Sequence, residues 1–410
     1  MANTQGPLGA GAAKVDITPR VLTGLTNLFG RPFEGVHDPI YLRALVVDNG
    51  INTAAIVAAD LVEFGDTLAV RKRIEQEIGI PADHILITAS HDHNAPRAGK
   101  VTAGATAWAG GPATEKYTQY VYDQVVDVVR RAKAALQPAR VGIGCGTADV
   151  NVNRDVFTAE GWKVGVNPHG PSDKTVWVVK FEALSGEPIA ILMNYAVHAV
   201  VISSENRLVT GDIAGAAECY IEQSYQDKVV ALWTIGAAAD QNPRYMADDR
   251  VFRQGNRGDG YRLMEAQGHV VGEDVVQVAR QVQRMTAEVC LEAEEKVVTL
   301  PARPPTHQPA SLNVQPADGI PLHLGLVLIN HIAITSVSGE VVTRIYQHLK
   351  KDSPFTNTLM ITMANDRIGY IVDDAGYDTP TFEARATPIQ KGYAEAAIVN
   401  GLVEMLGRYQ

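Results

Sequence analysis

Cysteine is scarce in this chain: Cys145, Cys219 and Cys290 are the only three in 410 residues. They are too few and too widely spaced for a disulfide framework or a cysteine zinc site, which makes a reducing interior the default. There is no basic excess either. Lys and Arg total 36 against 46 Asp and Glu, a formal charge of −10, and this excludes nucleic acid or an anionic membrane as a partner recruited by charge. No segment approaches the ~18 consecutive apolar residues of a membrane span. The start, Met1 to Pro7, lacks the basic stretch and apolar run of a secretory signal. A cytoplasmic protein without membrane insertion is therefore expected. Repeats, heptads and low-complexity tracts are also missing, which excludes solenoids and fibrous assemblies.

What is present is an ordinary globular composition, 46% hydrophobic and 20% charged. The length exceeds what one small core fills, so one large α/β unit or two tightly joined lobes is expected. Apolar runs rich in β-branched residues predict strands over Leu42–Val47, Thr53–Ala58, His84–Ala89, Val141–Cys145, Thr175–Phe181, Ile189–Tyr195, Val229–Ile235, Leu324–Ser336 and Thr358–Met363. Threefold and fourfold spacing predicts helices over Thr67–Ile78, Tyr117–Leu136, Ile213–Ser224, Tyr261–Met285 and Val341–Leu349, with a last one within Ile389–Leu406. The order gives an α/β fold of mixed β-sheets with covering helices. One domain is expected over 1–410, with a soft lobe boundary near 300–322, where Pro301, Pro304, Pro305, Pro309, Pro316 and Pro321 crowd together.

Three strand ends carry chemistry. His91-Asp92-His93 directly follows an apolar strand, and alternate residues leaving a strand point the same way. Both rings can thus face one cleft, one as a metal ligand and the other as a proton carrier. His198 follows Ile189–Val197, shortly before the loop Thr210-Gly211-Asp212, and Glu340 follows the small residues Ser336 to Gly339. Each also has a structural reading: a loop histidine without a role, a core histidine bonded to backbone, and a glutamate favoured at a helix start. A metallo-β-lactamase pattern fails because Ala95 and Pro96 stand where Asp and His are needed, and eight βα units of an amidohydrolase barrel cannot be fitted.

Together with Gly11–Arg20, Gly35–Pro39, Ala59-Asp60-Leu61, Asn153-Arg154, Asp173-Lys174, Asn194–His198, Gly211-Asp212, Asp240–Pro243, Ser338-Gly339-Glu340 and Asn365–Tyr370, the His91–His93 loop resembles the catalytic domain of neutral/alkaline (non-lysosomal) ceramidases, in the same order and over nearly the whole chain. The resemblance implies a ceramidase-type zinc catalytic domain with one Zn2+ per chain held by His91, His198, Glu340 and Tyr370. Zinc suits imidazole and carboxylate, and lets a nearby phenol ionise below its usual pKa. It also implies His93 as proton carrier to the departing nitrogen, Arg154 as oxyanion partner and Asp240 as an orienting carboxylate.

Two positions depart from the family pattern. Asn242 in Ala239–Arg244 replaces a serine, which makes a serine acyl-enzyme doubtful, and Phe382-Glu383 replaces a Tyr-Glu pair. The chain ends at Gln410, so no C-terminal immunoglobulin-like domain is expected. The leading expectation is a zinc-dependent hydrolase cleaving an amide bond, or else an ester or lactone, of a small to medium polar substrate by metal-activated water. Two alternatives stay open: an N-acyl lipid amidase, which an apolar groove wide enough for an acyl chain would favour, and a non-catalytic zinc-containing ligand-binding module. A di-metal phosphoesterase is disfavoured, since the assigned ligands include no carboxylate suited to bridging two metals. The partners expected are a small-molecule substrate and, compatibly, a second copy in a homo-oligomer. Segments 97–116 and 253–262 are candidate lid or substrate-contact regions.

Overall fold

The computed structural model describes residues 5–99, 111–250, 257–303 and 319–410. Most of the candidate lid segment 97–116, the start of the 253–262 segment and Pro304 to Pro316 lie outside these residues.

Two sheets stack face to face and each carries helices on its outer face, giving four layers in the order helix, sheet, sheet, helix. The larger sheet has eight strands in the order Val230–Ile235, Pro188–Tyr195, Thr175–Ala183, Gln137–Thr147, Gly9–Asp16, Tyr41–Asp48, Thr53–Ala59, Ile85–Ala89. Its inner pairings are antiparallel, while the strand at each edge is added in parallel. A five-stranded sheet runs Gln5–Pro7, Glu288–Leu300, Ile320–Ile329, Ile332–Val337, Asn357–Thr362, with only the last pair parallel.

Alternation along each strand explains the layering. On Tyr41–Asp48, Leu45 and Val47 point into the core between the sheets, against Val327, Ile334 and Leu359 of the smaller one. Leu42, Ala44 and Val46 point the other way, onto Val70, Ile74, Val121 and Val125 of the helices Leu68–Ile78 and Pro112–Ala134. The smaller sheet repeats the rule: Val327 and Ile329 face inward, while Leu322, Leu324 and Leu326 meet Ile345, Leu349 and Leu402 of the helices Thr343–Asp352 and Ala394–Gly407. Fully burying each such aliphatic side chain contributes about 1.5–3 kcal/mol. The helices Asp212–Ser224 and Arg257–Gln281 cover the remaining part of the larger sheet around Trp233 and Tyr195.

Predicted and observed elements differ in a few places. The apolar run expected as one strand over Leu324–Ser336 is two strands, because Asn330 takes a left-handed conformation (φ 54°) and Asn330-His331 turns the chain so that Ile329 faces Ile332. Asn tolerates that conformation without glycine, and a turn that carries neither glycine nor proline is hidden inside an apolar run. Glu288–Leu300 was not anticipated: its buried Val289 and Leu291 alternate with Glu288, Glu292 and Glu294 on the wetter face. The proline-rich stretch connects two strands that pair directly, Leu300 opposite Ile320. No described helix is long and apolar enough to cross a membrane.

Candidate metal centre

The site lies where strand ends of both sheets meet. After Ile85–Ala89 the chain turns at His91, held in the left-handed region (φ 61°) at a cost of about 1 kcal/mol for a non-glycine residue. Backbone bonds fix that turn: Ser90 N donates to Ala59 O (2.9 Å) and Asp92 N to Leu61 O (3.0 Å). His93 N donates to Ala199 O (3.3 Å), which stitches this loop to the segment after Pro188–Tyr195. Glu340 and Tyr370 come together because they pair in a short parallel ladder. That ladder requires glycine at 339, since a Cβ there would stand 2.5 Å from Ile371 Cδ1.

Four side chains converge as a result. His91 Nε2 is 3.2 Å from Glu340 Oε2, His198 Nε2 is 3.4 Å from the same oxygen, and His93 Nε2 is 3.2 Å from His91 Nε2. His91, His93 and His198 form a set able to hold a metal ion. Two of the rings are locked from behind: His91 Nδ1 faces Val62 O at 2.9 Å, and His198 Nδ1 faces Ala238 O at 2.8 Å and Gln241 O at 3.0 Å. A carbonyl accepts only from N–H, so the proton of each ring sits on Nδ1 and the Nε2 lone pair points inward. Burial, with Arg154 nearby, pushes His198 down to about 4, so it is neutral at pH 7. Glu340 Oε2 is buried without a donor. Burial alone would raise this carboxyl, but the Arg367 guanidinium at its other oxygen opposes that and helps hold the group well below its usual range.

Acceptors therefore face acceptors, an arrangement that a bound cation resolves. Ligand atoms about 2.0–2.1 Å from a tetrahedral zinc stand about 3.3–3.4 Å apart, and the observed separations match that spacing. The residues present fit the metal.

His93 differs from its neighbours. Its Nδ1 is buried and lacks a hydrogen-bond partner and its Nε2 meets His91 Nε2, so no backbone carbonyl locks the ring. Burial and the adjacent His91 push its pKa well below the ordinary value. Arg154 lies beside the metal cluster, its Nη1 3.3 Å from His198 Nε2 and 3.3 Å from Asn242 Oδ1, and Glu383 grips its other side. Tyr370 accepts a hydrogen bond from Arg154, and its phenol is raised by burial and by Glu340. Asp240 reaches the centre through backbone. One oxygen accepts from Thr343 N (3.0 Å) and Thr343 Oγ1 (2.8 Å), the other from Asn153 Nδ2 (3.1 Å), and this pins the turn whose carbonyls orient His198.

Sequence reasoning missed Glu63, Arg367 and Glu383. Arg367 donates to Glu340 Oε1 and pairs with Glu63 Oε2 at 2.8 Å, and Arg97 pairs with Glu63 Oε1 at 3.1 Å. Arg367 stands inside the Asn365–Tyr370 motif and Glu63 two residues beyond Ala59–Leu61, so the motifs pointed to them without giving a role.

The family profile "Neutral/alkaline non-lysosomal ceramidase, N-terminal" matches residues 9–261, more than half of the chain. The chain belongs to this ceramidase family. It is 26% identical to a neutral ceramidase of Drosophila pseudoobscura pseudoobscura over 265 residues, 60% of this chain and 37% of the relative. To neutral ceramidase A of Dictyostelium discoideum it is 27% identical over 216 residues, 47% of this chain and 29% of that one. The matched region thus spans about a third of the length of these ceramidases. The crystal structure of neutral ceramidase from Pseudomonas aeruginosa superposes with a TM-score of 0.77 at 17% identity, over 98% of this chain and 74% of that one, and so shares its mixed α/β fold.

Proposed function

We propose that this protein is a zinc-dependent hydrolase that cleaves the amide bond of an N-acyl amphiphile of ceramide type. The observation that carries the reading is the buried, donorless Glu340 Oε2 facing two inward imidazole lone pairs at zinc-ligand spacing. His91, His198 and Glu340 would hold the metal, with Tyr370, backbone-paired to Glu340, as the fourth ligand. Zinc, when bound, supplies Lewis acidity to a carbonyl and lowers the pKa of water toward neutrality.

The chain's own groups do the rest. His93, unprotonated at neutral pH, accepts the proton of the attacking water at one ring nitrogen and returns it to the amine as the C–N bond breaks. Arg154 lends its charge to the carbonyl oxygen as that oxygen becomes negative. Arg367 fixes Glu340 Oε1 so that Oε2 stays turned to the metal.

Substrate class follows from the walls. Phe29 packs edge-on against His93 and Phe382 against Tyr370, and both rings are otherwise exposed. The segment carrying Phe29 begins at a cavity of about 580 Å³ lined by Pro19, Val21, Leu25, Pro112, Tyr117 and Tyr120. Leu28 N donates to His93 O at 3.0 Å, which ties the segment to the centre. An apolar chain suits this surface better than the small polar substrate first expected.

The test is zinc content per chain together with turnover of N-acyl amides of increasing chain length. About one zinc, and a kcat/KM that rises with acyl length and vanishes on chelation, is expected. A metal-replete, folded protein with no turnover across the series overturns the reading.

A further inference from the structure

Glu383 is the carboxylate that pairs with Arg154. Arg154 Nε donates to Oε1 of Glu383 at 2.7 Å, and Nη2 lies within ion-pair distance of the same oxygen at 2.6 Å. Glu383 is completely buried on the short helix Phe382–Ala386, and no donor among the described residues reaches its Oε2. A bare carboxylate oxygen in that position costs about 1–3 kcal/mol unless something donates to it. Asp155, the residue after Arg154, is in side-chain hydrogen-bond contact with Glu383. Two carboxyl groups in such contact need one proton between them.

Asp155 is the half-buried member of the pair. It also lines a cavity of about 180 Å³ with Asn153, Trp162, Asp240, Arg344 and Asp373, so a proton reaches it from that cavity without crossing the metal centre. We propose that Asp155 is a positioning residue: its carboxylic acid donates to Glu383 and so keeps Glu383 in place to hold Arg154 beside the metal centre.

The surroundings favour that protonation state. Burial raises Asp155 to about 8, helped by the charges of Glu383 on the short helix and Asp240 on the turn before Gln241–Pro243, and opposed by Arg154 on its own strand. Arg344, on the helix Thr343–Asp352, and Asp373, after Tyr370–Ile371, are the other charged groups facing the same cavity. Above this midpoint a second negative charge appears against Glu383 and the grip on Arg154 is lost.

The kinetic consequence rests on the proposed amidase activity; the proton itself does not. Infrared difference spectra of wild type against Asp155→Asn, taken across about pH 6.5–9.5, should show a carboxylic acid band that disappears near pH 8 in wild type alone. Glu383→Gln should move that midpoint down by more than one unit. In turnover of an N-acyl amide, wild-type kcat/KM should fall about thirtyfold from pH 7 to 9.5, as one ionisation near 8 requires. Asp155→Asn, which keeps a donor at every pH, should fall by less than about threefold.

Absence of the band, a midpoint unmoved in Glu383→Gln, or the same alkaline fall in Asp155→Asn overturns the proposal. An intact, shifting band with no turnover in any variant overturns the amidase reading and leaves the proton-sharing pair standing.

Discussion

The molecule buries two clusters of opposite charges, and in only one of them does a carboxylate oxygen face imidazole nitrogens instead of a cation or a backbone N–H. Around Arg43, Asp60, Glu218 and Glu222 supply carboxylates within 3.0, 2.6 and 3.3 Å of the guanidinium. Their oxygens are matched further by Tyr41 N, Trp233 N, Ala231 N and Lys14 Nζ. Around Arg154 and Arg367 the guanidinium groups are equally well held, yet Glu340 Oε2 and His93 Nδ1 have no partner. A satisfied buried network ties strands to a helix, whereas one with inward orphans waits for a ligand. Glu218 Oε2 also lacks a hydrogen bond but lies 2.6 Å from the Arg43 guanidinium, whereas Glu340 Oε2 faces imidazole nitrogens, so what separates scaffold from site is which group each orphan oxygen faces.

Substitutions can break that distinction. The largest effect is expected for His198→Ala and Glu340→Gln: loss of bound zinc, with a drop in activity of about 10⁴-fold or more, in a protein that stays folded. Zinc retained at full occupancy by both variants would contradict the ligand assignment. His93→Ala should keep the metal and lose about 10²–10⁴-fold in kcat. Metal loss in this variant would instead make His93 a ligand, as its 3.2 Å approach to His91 also permits.

Arg43→Ala should do the reverse. It leaves buried carboxylates without their cation and costs about 3–5 kcal/mol of stability, read by denaturant unfolding, while zinc per folded chain is unchanged.

A smaller effect concerns Glu218. Burial and Asp60 raise its pKa well above the usual range, with Arg43 opposing. A raised carboxyl contributes stability that is complete below its unfolded pKa and is lost as pH rises through the folded one. Glu218→Gln should therefore flatten the decline of stability toward alkaline pH, and an unchanged slope would count against a shared proton there. Smallest of all, Phe382→Tyr, which adds only a hydroxyl at an exposed ring, should change kcat/KM by a few-fold, without change in metal content.

Much of the layering was legible because amphipathic alternation is local. The helix expected over Thr67–Ile78 spans Leu68–Ile78, and the strand expected over Thr53–Ala58 spans Thr53–Ala59. The hairpin Asn151–Thr158 and Gly161–Asn167, which presents Arg154, was not read as strands: Phe157, Val164 and Val166 are exposed and the buried residues Asn151, Asn153 and Arg154 are polar, so no apolar alternation gave a signal. At the site, His91, His198 and Glu340 were legible as polar residues at the ends of apolar strands. Tyr370 and Arg154 took their roles only from the family likeness. Glu383 and Glu63 stayed without a role because a carboxylate acquires meaning from the arginine it faces, and Arg154 lies 229 residues from Glu383 while Arg367, which joins Glu63 to Glu340, comes from the other end of the chain.

The stacking of two sheets also bears on how the protein folds. His91 and His198 leave strands of the eight-stranded sheet, whereas Glu340 leaves the five-stranded one, so the three come within reach only after the sheets have docked. Docking of such distant segments is slow, since loop closure must precede any gain from contact. Zinc should accordingly find its ligands after the rate-limiting step, leaving the refolding rate unaltered and slowing unfolding in proportion to the stability it adds.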